Sequence, residues 1–295
     1  MLKVEIDPGS GFCGGVIRAI SRAEDELSRG GKLYSLGAIV HNEEELSRLQ
    51  ALGLETVSSL AEVPEGSAVL IRAHGEPPST YEEAAARHLT VIDCSCPVVL
   101  QLQRRIREAY ARLHEGGKHG SVLIFGRVGH AEVLGLLGQV GGDALVVEDA
   151  AMLASFLSDG RLSLDEPIEI FSQTTKSPSE YAAICTYLRA LGAQLTVHDT
   201  ICAQVASRYA ALAQFARQHD VILFVSGATS SNGKALSDLC RRFNPRTYQV
   251  GGIADISRGW FSDGCSVGVC GATSTPKWLL EQVAEAVRGT GLSVG

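Results

Sequence analysis

Short apolar runs alternate with amphipathic stretches along the whole chain, the pattern of an α/β protein in which strands and helices take turns. The mainly apolar segments 68–73, 121–125, 168–171, 221–225 and 266–270 predict core strands. Segments 81–87, 100–113, 181–191, 207–218 and 279–288 space their apolar residues helically and predict the packing faces of helices. Residues 32–40 read as a further strand and 234–243 as a further helix.

One signature recurs within this alternation. Cys13-Gly-Gly-Val16, Cys96-Pro-Val-Val99 and Cys202-Ala-Gln-Val205 each open a predicted helix. Near-copies of one strand, Leu89-Thr-Val-Ile-Asp93 and Leu195-Thr-Val-His-Asp199, precede the second and third, and Val4-Glu-Ile-Asp7 precedes the first. Polar turns repeat with them: His41-Asn42, Gly129-His130-Ala131-Glu132 and Ser230-Ser231-Asn232-Gly233, then Ala73-His74-Gly75, Gln173-Thr174-Thr175 and Thr273-Ser274-Thr275. His74, Thr174 and Ser274 stand one hundred positions apart. The expected fold is three similar α/β units, residues 1–95, 96–201 and 202–295, arranged as a pseudo-threefold trefoil. The third unit lacks its closing strand, so strand 2–6 is expected to complete the third sheet. Ligands of parallel α/β units bind beyond the carboxyl ends of strands, where all three cysteines and all six turns fall.

Composition narrows the class. The chain has 295 residues, 45% hydrophobic and 20% charged, as in an ordinary globular protein. A net charge of −7 argues against general nucleic-acid binding. There is no apolar run of membrane-spanning length and no signal peptide, so the expected location is the cytoplasm, with no membrane partner. In such a reducing compartment the eight cysteines are not read as disulfides.

Most free cysteines are small buried hydrophobes, and Cys94, Cys185, Cys240, Cys265 and Cys270 are read that way. Repeat position separates Cys13, Cys96 and Cys202 from them. Three thiolates without a fourth suit a metal centre with an open coordination position, and helix N-termini favour its negative charge. Spacing alone leaves zinc and an iron–sulfur cluster equally open. Gly9-Ser-Gly-Phe-Cys-Gly14 imitates a dinucleotide fingerprint, but segment 32–40 has no acidic residue for a ribose. The glycines are better read as a turn that lets backbone approach a bulky cluster. His41, His74 and His130 could each be a mere loop or cap residue; their recurrence at strand-end turns favours ligand binding. Ser230, Ser231 and Asn232 before a helix form an anion site as readily as an ordinary cap. Glu132 lies in an otherwise apolar, glycine-rich stretch where desolvation would raise its pKa, which makes it the best acid candidate in the chain.

These motifs, in this order, resemble the 4-hydroxy-3-methylbut-2-enyl diphosphate reductase (IspH/LytB) family over nearly the whole chain. The resemblance rests on Gly11–Ala19, Val40-His41-Asn42, Ala73-His74-Gly75, Asp93-Cys94-Ser95-Cys96-Pro97, Gly129–Val133, Gln173-Thr174-Thr175, Thr200-Ile201-Cys202, Ser230-Ser231-Asn232 and Ser274-Thr275-Pro276. It implies one 4Fe-4S cluster held by Cys13, Cys96 and Cys202, with the fourth iron open. It implies diphosphate binding by His41, His74, His130, Ser230, Ser231, Asn232 and Ser274, contact of Thr174 with the substrate hydroxyl, and Glu132 as proton donor. The implied reaction is reductive dehydroxylation of (E)-4-hydroxy-3-methylbut-2-enyl diphosphate to isopentenyl and dimethylallyl diphosphates in the methylerythritol phosphate route to isoprenoids. Reduced ferredoxin or flavodoxin would supply the electrons. The chain departs from the family at Ala131, Cys94 and the stretch 203–208, which touches fine geometry and no matched ligand. Two other classes stand beside this expectation. A non-redox cluster hydratase or dehydratase would need no reductant. A catalytically silent metal-binding paralogue would not need the acid pair Glu132 and Thr174.

Overall fold

In chain order the elements are β1 (Lys3–Ile6), α1 (Gly14–Ser28), β2 (Leu33–Leu36), α2 (Glu43–Ala51), β3 (Leu54–Val57), β4 (Ala68–Ile71), α3 (Pro78–Ala86), β5 (Thr90–Asp93), α4 (Pro97–His114), β6 (Ser121–Phe125) and α5 (Ala131–Leu137). They continue as β7 (Leu145–Val147), α6 (Ala150–Ser158), β8 (Ile168–Ser172), α7 (Pro178–Ala190), β9 (Leu195–Val197), α8 (Ala203–Arg217), β10 (Val221–Val225), α9 (Ser231–Phe243), β11 (Thr247–Val250), β12 (Ser266–Gly271) and α10 (Lys277–Gly289). This computed structural model describes residues 2–117 and 119–289. Its strands form three parallel four-stranded sheets, ordered β3-β2-β4-β5, β7-β6-β8-β9 and β11-β10-β12-β1. The order is the same each time, with β1 in the fourth place of the last sheet, paired to β12 from Lys3↔Ser266 to Ile6↔Val269. The chain divides into two compact units, residues 1–56 with 203–295, and residues 57–202.

Strands β6 and β10 show why these sheets are covered on both faces. Leu123 and Phe125 enter one core with Phe156, Tyr181, Ile184 and Leu188 of α6 and α7. Val122 and Ile124, pointing the other way, enter a second core with Leu102, Ile106 and Leu136 of α4 and α5. In the other unit Val221, Leu223 and Val225 pack with Leu280, Val283 and Val287 of α10, while Ile222 and Phe224 pack with Leu212, Leu236 and Cys240 of α8 and α9. A strand apolar on both faces, as in Val122–Phe125 and Val221–Val225, suits a sheet with helices on both sides. Each fully buried Leu, Ile or Phe contributes about 1.5–3 kcal/mol of apolar transfer.

Element ends differ from the pattern-based reading where side chains intervene. The strand expected at 32–40 stops at Leu36, where the Ser35 hydroxyl donates to the Gly37 carbonyl (2.7 Å) and bends the chain. The helix expected at 81–87 begins at Pro78, whose fixed φ and missing N–H suit a first turn. Strands β3, β7 and β11, three or four residues each, were too short to show a periodicity.

Candidate functional site

In the sheets β7-β6-β8-β9 and β11-β10-β12-β1 the strand order reverses between the two central strands. A crevice at their carboxyl ends is the ligand site of such sheets. The loops after β6 and β8 carry His130 and Thr174, and those after β10 and β12 carry Ser230 and Ser274. The repeated turns therefore flank these switch points.

All three cysteines occupy the same local frame. Cys13 and Cys96 are the N-caps of α1 and α4, with extended backbone, and Cys202 directly precedes α8. Each N–H donates to the carbonyl of the turn that follows the neighbouring strand: Cys13 to Thr273 (3.2 Å), Cys96 to Ala73 (3.0 Å) and Cys202 to Thr174 (2.9 Å). These bonds correct the repeat register. Thr174 is equivalent to Thr273 and Ala73, so the true offset between the last two units is 99 residues, and Ser274 matches Thr175. The same shift appears where the N–H groups of Gln173 and Ala272 reach the carbonyls of Phe125 and Val225. Composition hid this, because Thr174, Thr175, Thr273 and Ser274 are chemically alike.

Cys13, Cys96 and Cys202 are each half-buried, whereas the other five are buried. Cys185 lies against Tyr181 and its thiol is pushed up by burial. Cys270 contacts Cys240 in the core, and burial raises it well above the ordinary thiol range. Such groups resist forming the thiolate that a metal needs. A soft donor at each of three helix N-termini, held by its own backbone N–H, fits an anionic iron–sulfur group.

In the unit formed by residues 57–202, the Glu132 carboxylate is 1% exposed. Its Oε1 accepts the Thr174 N–H (2.7 Å) and its Oε2 accepts the Thr174 hydroxyl (2.8 Å). Burial raises its pKa to about 7, and the Thr174 bonds pull the other way without prevailing. His130 caps α5, its Nδ1 accepting the Glu132 N–H (3.2 Å). The neutral ring then carries its proton on Nε2, which becomes a donor. His74 meets His130 edge to face, with ring centres 5.3 Å apart.

In the unit formed by residues 1–56 and 203–295, Ser230 caps α9, its Oγ accepting the Gly233 N–H (3.0 Å) and lying 3.1 Å from the Ser274 Oγ. Asn232 Nδ2 donates to Thr273 Oγ1 (2.8 Å), while its Oδ1 is buried without a partner. Ser231 begins α9, whose first N–H groups and dipole favour an anion. His41 sits one residue before Asn42, the N-cap of α2. A side chain on Gly227 would meet the His41 carbonyl at 2.5 Å, so glycine there lets the His41 turn close on the loop that leads to Ser230.

Sequence reasoning missed the support behind the Cys13 loop. Arg208 Nη2 donates to Asp7 Oδ2 (2.5 Å) and to Ser10 Oγ (3.1 Å), and the Ser10 hydroxyl donates to Asp7 Oδ2 (2.6 Å). All three are buried. A Cβ on Gly9 would lie 2.1 Å from Arg208 Nη1, so the first glycine of the apparent dinucleotide motif makes room for a guanidinium. Gln173, named from the sequence only as part of a polar turn, is 1% exposed and accepts the Arg127 N–H at Oε1 (3.0 Å). The signal was available in the recurring Asp7, Asp93 and Asp199 before each cysteine.

Comparison with known proteins follows the same residues. The family described as "LytB protein" matches residues 4–288. A 4-hydroxy-3-methylbut-2-enyl diphosphate reductase of Bacteroides thetaiotaomicron is 45% identical over 292 residues, covering 98% of both chains. One from Bacteroides fragilis is 46% identical over 294 residues, again covering 98% of both. A solved structure of (E)-4-hydroxy-3-methyl-but-2-enyl diphosphate reductase, described as the terminal enzyme of the non-mevalonate pathway, superposes with a TM-score of 0.68 at 32% identity, covering 98% of this chain and 100% of that one. The E-1-hydroxy-2-methyl-but-2-enyl-4-diphosphate reductase of Plasmodium falciparum has a TM-score of 0.85 over 97% of this chain and 87% of that one; at 24% identity it speaks for the fold alone. With the family match spanning residues 4–288, the chain belongs to the LytB protein family.

Proposed function

We propose that this protein is a 4-hydroxy-3-methylbut-2-enyl diphosphate reductase, converting the allylic alcohol to isopentenyl and dimethylallyl diphosphates and water. The observation that carries the reading is the buried Glu132–Thr174 pair, a carboxyl group poised near neutrality and bonded to a hydroxyl. When bound through Cys13, Cys96 and Cys202, a 4Fe-4S cluster with an open iron supplies the electrons and a Lewis acid.

The chain's own groups do the rest. The diphosphate is held by donors: Nε2 of His130, the imidazoles of His41 and His74, the hydroxyls of Ser230, Ser231 and Ser274, the Asn232 amide and the N-terminus of α9. These neutral and part-charged donors explain how a chain of net charge −7 can bind a diphosphate. Glu132 with a pKa of about 7 is protonated in a large fraction of molecules at neutral pH and gives its proton to the departing hydroxyl. Once protonated at Oε2 it can donate to the Thr174 Oγ, which frees the Thr174 hydroxyl hydrogen to turn to the substrate oxygen. The balance is two electrons and two protons taken up, one C–OH bond replaced by C–H, and one water released.

Reduced ferredoxin or flavodoxin is the proposed donor. The cytoplasm is the proposed compartment, since ligand thiolates need reducing surroundings. No described helix is long and apolar enough to cross a membrane. The test is anaerobic turnover of the hydroxylated diphosphate with dithionite and a viologen mediator. The two isomeric diphosphates are expected in the presence of reductant only. Water addition or loss without reductant would point to the hydratase alternative, and no turnover at all to a silent paralogue.

A further inference from the structure

The proposed reaction draws two electrons from outside the chain, so a carrier must dock close to a cysteine ligand. Helix α4 opens at Cys96 and offers such a surface. Val98 and Leu100, within its first turn, are 39% and 43% exposed. At 1.5 Å per residue they lie within about 6 Å of Cys96 along the helix axis. Arg104 follows Leu100 by four positions and Arg107 follows Arg104 by three, so the three share one face of the helix. The Arg104 side chain is 63% exposed and Arg107 is exposed. Farther along, Arg112 is half-exposed but pairs with Glu169 of β8 (2.8 Å), so it adds no free charge to the face.

The three cysteine-opened helices differ in charge. Helix α4 carries Arg104, Arg105, Arg107 and Arg112 against the single acid Glu108, which lies 3.8 Å from Arg104. Helix α1 sets Arg18 and Arg22 against Glu24, Asp25 and Glu26. In α8, Arg208 is buried on Asp7, leaving Arg217 at the far end. A basic face on a chain of net charge −7 is a local feature, and it begins at a cysteine that the proposed function places on the cluster.

Resting on that reading, we propose that the outer face of α4 docks a small acidic electron-carrier protein, with Leu100 as the apolar contact and Arg104 and Arg107 as the steering charges. Small apolar contacts ringed by complementary charge suit transient redox encounters, which form fast and release fast. Overall negative charge would repel an acidic carrier; the α4 arginines decide where it lands.

The experiment compares two reductants on the cluster-loaded protein: a reduced plant-type ferredoxin, and dithionite with a viologen mediator. For the double variant Arg104→Glu/Arg107→Glu, ferredoxin-driven kcat/KM is expected to fall at least tenfold and to lose most of its ionic-strength dependence. Viologen-driven turnover is expected to stay within twofold, which also shows that the variant folds and holds its cluster. Arg241→Glu/Arg242→Glu, the same charge change at the exposed end of α9, is the control and should keep its ferredoxin rate. The proposal is overturned if the α4 variant keeps the wild-type ferredoxin rate, or if the α9 control loses as much. Absence of viologen-driven turnover in the wild type would instead sink the proposed function itself.

Discussion

Replacing Glu132 by Gln removes one titrating proton while keeping the local bonds. The amide oxygen can still accept the Thr174 N–H, and the amide nitrogen can donate to the Thr174 Oγ once that hydroxyl turns. The wild-type carboxyl is raised from 4.5 to about 7, almost entirely by burial. At roughly 1.4 kcal/mol per unit, that shift corresponds to about 3 kcal/mol of pH-dependent stability. Because the folded pKa lies above the unfolded one, the folded state binds the proton more tightly. The contribution is fully present below pH 4.5, is lost as pH rises through 7, and leaves the wild type with a buried charge at alkaline pH. The Gln variant has no such slope. Relative to wild type it should gain about 3 kcal/mol between pH 5 and pH 8.5, or about 6 °C in melting temperature for a chain of this size. The assay is calorimetric melting of both proteins, prepared anaerobically, at those two pH values. A melting-temperature gap that stays constant within a degree across the range would refute the buried-acid reasoning. Loss of turnover in the same variant, with substrate binding retained, is the kinetic counterpart.

The remaining predictions use the same residues. Thr174→Val removes one of two bonds that lower the Glu132 pKa, so the carboxyl should titrate above 7, read by its infrared C=O band, while turnover falls. Asp7→Asn breaks a buried ion pair behind the Cys13 loop and should cost about 3–5 kcal/mol in urea unfolding, with much of it recovered in the double variant Asp7→Asn/Arg208→Met. Ser230→Ala deletes the cap of α9, for a loss of about 1 kcal/mol in stability, and should raise the KM for the diphosphate more than it lowers kcat. Cys96→Ser should abolish the iron–sulfur EPR signal of the reduced protein, and Cys185→Ser should leave it intact.

The alternation of buried strands and amphipathic helices was legible because strands covered on both faces, such as 122–125 and 221–225, have no polar position to confuse their reading. The recurrence of Cys-x-x-Val helix starts was legible for another reason. A backbone frame that must present a thiol at a helix N-terminus constrains the residues on either side of it. The threefold repetition of polar turns came from the chain as well, although similar hydroxyl residues concealed a one-residue slip that only backbone hydrogen bonds revealed.

Other features depend on contacts between residues far apart in the chain. No local pattern brings Arg208 to Asp7 across 201 positions, or explains that Gly9 is small to admit a guanidinium. The pKa of Glu132 is likewise a tertiary property. Sequence marked an acid in an apolar stretch, but the shift comes from complete desolvation by packed neighbours, with Thr174 supplying bonds from 42 residues away. Strand order, and with it the switch points flanked by His130 and Thr174 and by Ser230 and Ser274, is decided by which hydrophobic faces pack together. The sequence by itself therefore determined which chemical groups recur and at which strand ends. Only the tertiary structure decided which of them are buried, paired and shifted in charge, because desolvation and long-range hydrogen bonding exist only once the chain has folded.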